Sequence, residues 1–107
     1  MKVFCDSSTR EACVVFEGRS PKIIPYPTTV TNNEGEYNDL ILALEKAKQM
    51  PLDFFEILTD SQLVVEQVNK RWACQEERLK KLRQRVWELS KGLDVTISWV
   101  PREENIA

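Results

Sequence analysis

At 107 residues, 42% hydrophobic, with 3 Gly and 5 Pro, the sequence has the size and composition of one folded domain, residues 1–107, not of a repetitive or disordered segment. Histidine is absent, which excludes Ser-His-Asp and Cys-His nucleophile systems and imidazole metal sites, while Cys5, Cys13 and Cys74 lack the close pairing of a zinc or redox motif and read as small buried hydrophobes. A net charge of −2 argues against a nucleic-acid partner until its uneven placement is considered; no apolar run approaches the ~18 residues of a membrane span, and Met1-Lys2 leads directly into a strand pattern, so a soluble, cytoplasmic protein without a signal peptide is expected.

The first apolar run predicts a strand over 2–6 that closes on Asp6. A short polar turn, Ser7 to Arg10, precedes its hairpin partner at 12–16. A third strand is expected at 22–26, where Pro21, Pro25 and Pro27 confine it to a sheet edge. Residues 34–49 carry 3.6-residue periodicity, with Tyr37, Leu40, Ile41, Leu44 and Ala47 on the buried stripe, Asn33 as N-cap and Pro51 as terminator. The run 54–59 is nearly all apolar, as in a parallel strand covered on both faces, and it ends at Asp60. Helices are predicted over 61–69 and 76–91, the second burying Leu79, Leu82, Val86 and Leu89 and stopping at Gly92. A last strand over 93–100 places Val95, Ile97 and Trp99 on one face.

This order predicts an α/β fold: a five-stranded mixed sheet, its first three strands antiparallel and its later strands parallel to the first through right-handed crossovers, with helices on both faces. Asp6 and Asp60 then end neighbouring parallel strands about 4.8 Å apart, at the edge where open sheets bind ligands. Glu36, in the first helical turn, points toward the same edge. Singly, each has a structural explanation: Glu36 in a capping box with Asn33, Asp60 as the cap of the next helix, Asp6 as a turn residue. Together they read as a divalent-metal site, because packed carboxylates raise one another's pKa unless a cation neutralises them.

Residues 70–91 hold eight basic and three acidic side chains, a local balance of +5 that leaves −7 elsewhere. A basic face opposed to an acidic pocket suits a metal-dependent enzyme acting on a polyanion. A solvated helix face with i,i+4 pairs is the plainer explanation of that segment.

Three segments carry a family resemblance: Thr31-Asn-Asn-Glu-Gly-Glu36-Tyr, Leu58-Thr-Asp60-Ser-Gln-Leu-Val and Trp99-Val-Pro-Arg-Glu-Glu-Asn105. In that order and on those elements they resemble ribonuclease H of type 1, in the compact form without the basic protrusion. The resemblance spans nearly the whole chain and implies a ribonuclease H-like fold and endonucleolytic cleavage of the RNA strand of RNA–DNA hybrids. Asp6, Glu36 and Asp60 match the family's first three metal-binding carboxylates, which implies two-metal catalysis with Mg²⁺, Mn²⁺ able to substitute. Asn32, Asn33 and Gln62 match positions that contact the hybrid near the cut, where amides tell 2′-hydroxyls from DNA. Thr31, Trp72, Lys80 and Lys81 are expected along the DNA strand. The chain departs from the pattern in three places: Asp6-Ser-Ser-Thr-Arg10 replaces a Gly-rich turn, the family's last-loop histidine is absent, and the fourth carboxylate, expected with a C-terminal helix a few residues after Asn105, is not present before Ala107. Glu103 or Glu104 is the available partial substitute. A monomer without membrane contact is expected, with two rival functions: a catalytically weakened hybrid-binding module, or the ribonuclease H domain of a reverse-transcriptase-like protein.

Overall fold

The computed structural model describes residues 1–52 and 54–107. Five strands and three helices follow one another as β1 (Lys2–Ser7), β2 (Glu11–Phe16), β3 (Lys22–Pro25), α1 (Asn32–Ala47), β4 (Phe54–Thr59), α2 (Gln62–Val68), α3 (Glu77–Ser90) and β5 (Asp94–Trp99), with a 3-10 turn at Arg102–Glu104. The strand order is β3-β2-β1-β4-β5. β2 is antiparallel to both β1 and β3, and β4 is parallel to both β1 and β5, as expected. Cys5 stands opposite Thr59, so Asp6 and Asp60 each follow the last paired residue of the central parallel strands. β3 is exposed along its whole length, in keeping with its prolines.

Strand alternation sorts the sheet residues into two faces. Val3, Cys5, Val14, Phe16, Phe55, Ile57 and Ile97 share one buried cluster with Tyr37, Leu40, Ala43 and Leu44 of α1, Val64, Val65 and Val68 of α2, and Leu79, Val86 and Leu89 of α3. Burying each large side chain there contributes ~1.5–3 kcal/mol. The helices, expected on both faces, therefore all gather on this one. The opposite face carries Phe4, Cys13, Val15, Ile23, Phe54, Glu56 and Leu58, of which Ile23 is 58% and Phe54 48% exposed. The apolar run of β4 misled because only one of its three residues on that face, Leu58, is buried. Cys5 and Cys74 are buried as expected, whereas Cys13 on the open face is only partly so.

The largest local correction concerns the start of α1. Its N-cap is Thr31, not Asn33: the Thr31 hydroxyl accepts from the Glu34 amide at 3.2 Å, while the Glu34 carboxylate reaches back to the Thr31 amide at 3.3 Å. The helix starts two residues earlier than expected, and Asn33 lies inside its first turn. Gly35 is needed there, since a Cβ at that position would stand 2.8 Å from the Ser8 carbonyl oxygen. α2 is capped by Ser61, whose hydroxyl accepts from the Val64 amide at 3.3 Å. Gly92, just beyond α3, takes φ +81°, the left-handed conformation that suits a helix stop. Among the described residues no helix is long and apolar enough to cross a membrane.

Candidate active site

Three separate elements deliver carboxylates to one cleft at the C-terminal edge of the parallel strands. It measures about 380 Å³ and is lined by Asp6, Ser7, Asn32, Glu36, Asp60 and Arg102. The structural explanations of the three acids now fail one by one. The capping box of α1 uses Thr31 and Glu34, which leaves Glu36 outside it. Ser61 caps α2, so Asp60 has no capping duty. The β1–β2 turn is fastened by Ser8, whose hydroxyl accepts from the Arg10 and Glu11 amides at 3.1 Å, and Asp6 lies within β1.

The electrostatics of the cleft follow from this convergence. Burial raises the Asp6 carboxyl above its ordinary value and the Asp60 charge adds to that, against the lowering effects of the Ser7 amide and Arg102. Glu36 is also raised, first by burial; the Ser61 hydroxyl lowers it, and the charges of Asp60 and Asp6 raise it again. That hydroxyl donates to Glu36 Oε2 at 2.6 Å, so one serine both caps α2 and orients a cleft carboxylate. A hard divalent cation suits a donor set of carboxylate oxygens and would relieve their repulsion. Among the described residues, no three His, Cys, Asp or Glu side chains are drawn together tightly enough to hold an ion as they stand. The Ser61 hydroxyl is the one described side-chain partner of Glu36.

The other expected residues divide into three groups. Asn32 lines the cleft, while Asn33 and Gln62 are exposed on the neighbouring helix starts outside its lining. Thr31 is committed to capping, its hydroxyl also donating to Glu34 Oε1 at 2.9 Å. Trp72 is 44% exposed on the segment after α2 and is not part of the core. Lys80 is held by Glu77 at 3.2 Å, whereas exposed Lys81 has no ion pair among the described residues. Arg71, Arg78 and Arg85 pair with Glu66, Glu34 and Glu45, so the basic segment is partly neutralised. Sequence reasoning missed Arg102, which lines the cleft although Glu103 and Glu104 beside it are exposed and do not. The Asn105 amide donates to the Cys5 carbonyl at 2.9 Å and fixes this segment against the end of β1. It also missed Ser61 as a carboxylate partner and the buried Asp39.

Comparison with known proteins agrees with the fold. Residues 3–107 match the reverse transcriptase-like family. The crystal structure of RNase H1 from the archaeon Halobacterium salinarum superposes with a TM-score of 0.86 at 32% identity, over 97% of this chain and 87% of that one. The chain belongs to the ribonuclease H type 1 family. The N-terminal RNase H domain of a Mycobacterium tuberculosis protein gives a TM-score of 0.80 at 28% identity, over 97% of this chain and 84% of that one. LC11-RNase H1 in complex with an RNA/DNA hybrid gives 0.73 at 21% identity, over 98% of this chain and 86% of that one, and shows the shared fold. In sequence, ribonuclease HI of H. salinarum is 42% identical over 76 residues, which make up 70% of this chain and 38% of that protein. The ribonuclease H chain thus matches well under half the length of this curated relative.

Proposed function

We propose that this ribonuclease H chain is a divalent-metal-dependent endonuclease that hydrolyses the RNA strand of RNA–DNA hybrids. The observation that carries the reading is the cleft itself: Asp6, Glu36 and Asp60 reach it from β1, α1 and the end of β4, and none serves as a cap or turn residue. Asp6, Glu36 and Asp60 are the residues that would hold Mg²⁺, or Mn²⁺ in its place. When bound, a pair of such ions supplies an activated water and neutralises charge at the leaving oxygen. Ser61 holds Glu36 by a hydrogen bond, and Arg102 in the cleft lining offers a cation to a phosphate. The amides of Asn32, Asn33 and Gln62 stand near the cleft at the first turns of α1 and α2, where minor-groove 2′-hydroxyls would identify the RNA strand. Trp72 and the exposed lysines of α3 would follow the DNA strand. A neighbouring fold solved with an RNA/DNA hybrid supports this choice of partner. Action as a cytoplasmic monomer completes the reading.

The test is cleavage of a labelled hybrid with Mg²⁺ or Mn²⁺, repeated with Asp60→Asn and paired with a binding measurement. Asp60→Asn should abolish cleavage and leave hybrid binding in place, since the amides and the basic face do not depend on its charge. Cleavage by Asp60→Asn at the wild-type rate would refute the mechanism. A hybrid-binding module without catalysis is the second reading, favoured by a cleft that offers three carboxylates and an arginine; wild-type binding without cleavage in either metal would select it.

A further inference from the structure

Asp39 is an acid in the wrong place for an ordinary helix face. It is 1% exposed, three residues after Glu36 and therefore on the same side of α1, yet it does not line the cleft. Its Oδ1 accepts from the Cys13 amide at 3.1 Å. Its own carbonyl faces the Cys5 thiol, with Sγ at 3.9 Å. Cys5 precedes Asp6 in β1, and Cys13 is the residue directly opposite Asp6 in β2. Both attachments of α1 thus land beside the same cleft carboxylate. The close seat of Gly35 on the Ser8 carbonyl brings the first turn of the helix to the same corner.

We propose that Asp39 is a positioning residue for the acidic cleft, a buried hydrogen-bonding group that pins the start of α1 to β1 and β2 and thereby sets the distance between Glu36 and Asp6. The proposal rests on the nuclease reading for its consequence in catalysis, but its structural content concerns how the cleft gathers an ion. Asp39 acts as a neutral group: burial, with the nearby charges of Asp6 and Glu36, pushes its carboxyl up to about 9. It therefore adds no negative charge beneath Asp6 and competes for no cation. Without its oxygen the Cys13 amide loses this acceptor, and nothing else described ties Asp39's turn of α1 to β2 by a side-chain hydrogen bond. A carboxylate displaced by about 1 Å is enough to cost ~100-fold in rate.

The experiment compares Asp39→Asn, Asp39→Ala and Asp39→Ser with the wild-type chain. Asn keeps the acceptor and the shape; Ala removes both; Ser is polar but too short to reach the Cys13 amide. Mn²⁺ affinity, read from the paramagnetic resonance signal of free Mn²⁺, should stay at the wild-type value in Asp39→Asn and weaken on the order of 10-fold in Asp39→Ala and Asp39→Ser. In hybrid cleavage the last two should lose kcat by ~100-fold with KM little changed, because the hybrid-binding surfaces are untouched. Thermal unfolding identifies the variants that are folded, and Asp39→Ser carries the comparison if Asp39→Ala is not. A folded Asp39→Ser with wild-type Mn²⁺ affinity would overturn the proposal, as would an Asp39→Asn that falls as far as Asp39→Ser, since the carboxylate charge would then be what matters. Wild-type chain that binds Mn²⁺ and leaves the hybrid intact would sink the nuclease reading alone, with the Mn²⁺ comparison still deciding Asp39.

Discussion

The buried acid makes a quantitative prediction about stability that requires no substrate. An Asp in the unfolded chain ionises near its ordinary 3.8, whereas folded Asp39 holds its proton up to about 9. Its folded pKa is raised, so its contribution to stability is fully present below the unfolded value and is lost as pH rises toward the folded one. At pH 7 folding must retain a proton that the unfolded chain has released, at ~1.4 kcal/mol for each pH unit above the unfolded value, or ~4 kcal/mol. Asp39→Asn preserves the acceptor for the Cys13 amide and removes the titration. The variant should therefore be more stable than wild type at pH 7 by up to ~4 kcal/mol, a shift of roughly 2 M in the urea midpoint at an ordinary m-value. The advantage should shrink steadily on acidification and vanish near pH 4. Urea unfolding followed by tryptophan fluorescence, in chelator and reductant across pH 4 to 8, measures it directly. The raised Asp6 and Glu36 titrate in both proteins, so the difference between the two isolates Asp39 apart from their coupling to it. A stability difference that stays constant with pH would refute the assignment of a neutral buried acid.

Two predictions concern charge around the cleft. Lys81→Glu should weaken hybrid binding more than Lys80→Glu, because Lys80 is already engaged by Glu77 while Lys81 is not, and removing one phosphate contact should reduce the salt slope by roughly one unit; equal, negligible effects would return α3 to the status of a solvated helix. Arg102→Ala should raise the Asp6 carboxyl further, since Arg102 is among the groups that lower it. Mn²⁺ binding by that variant should therefore need a higher pH than in wild type, and an unchanged pH midpoint would show that Arg102 does not act on Asp6.

What could be read from the sequence follows the range of the forces involved. The strands, their directions and the edge position of β3 depend on local alternation, prolines and the handedness of crossovers, and these were readable. The placement of all helices on one face was not, because Phe54 and Ile23 look like core residues in a linear pattern and only the packed sheet shows them exposed. Asp39 was invisible for the complementary reason. It sits between Tyr37 and Leu40 on a helix whose stripe is otherwise apolar, and the amide that satisfies it comes from a strand twenty-six residues earlier.

The start of α1 shows how a local ambiguity decides function. Thr31-x-x-Glu34 and Asn33-x-x-Glu36 are both capping boxes by composition, two residues out of phase. Had Asn33 been the cap, Glu36 would have folded back onto its own helix and been lost to the cleft. Capping by Thr31 and Glu34 places Gly35 where the Ser8 carbonyl leaves no room for a Cβ, and leaves Glu36 to accept from Ser61 in the cleft lining. The Thr31 box is thus the one compatible with a close seat of the helix on the β1–β2 turn, and the same register leaves the third carboxylate free of capping.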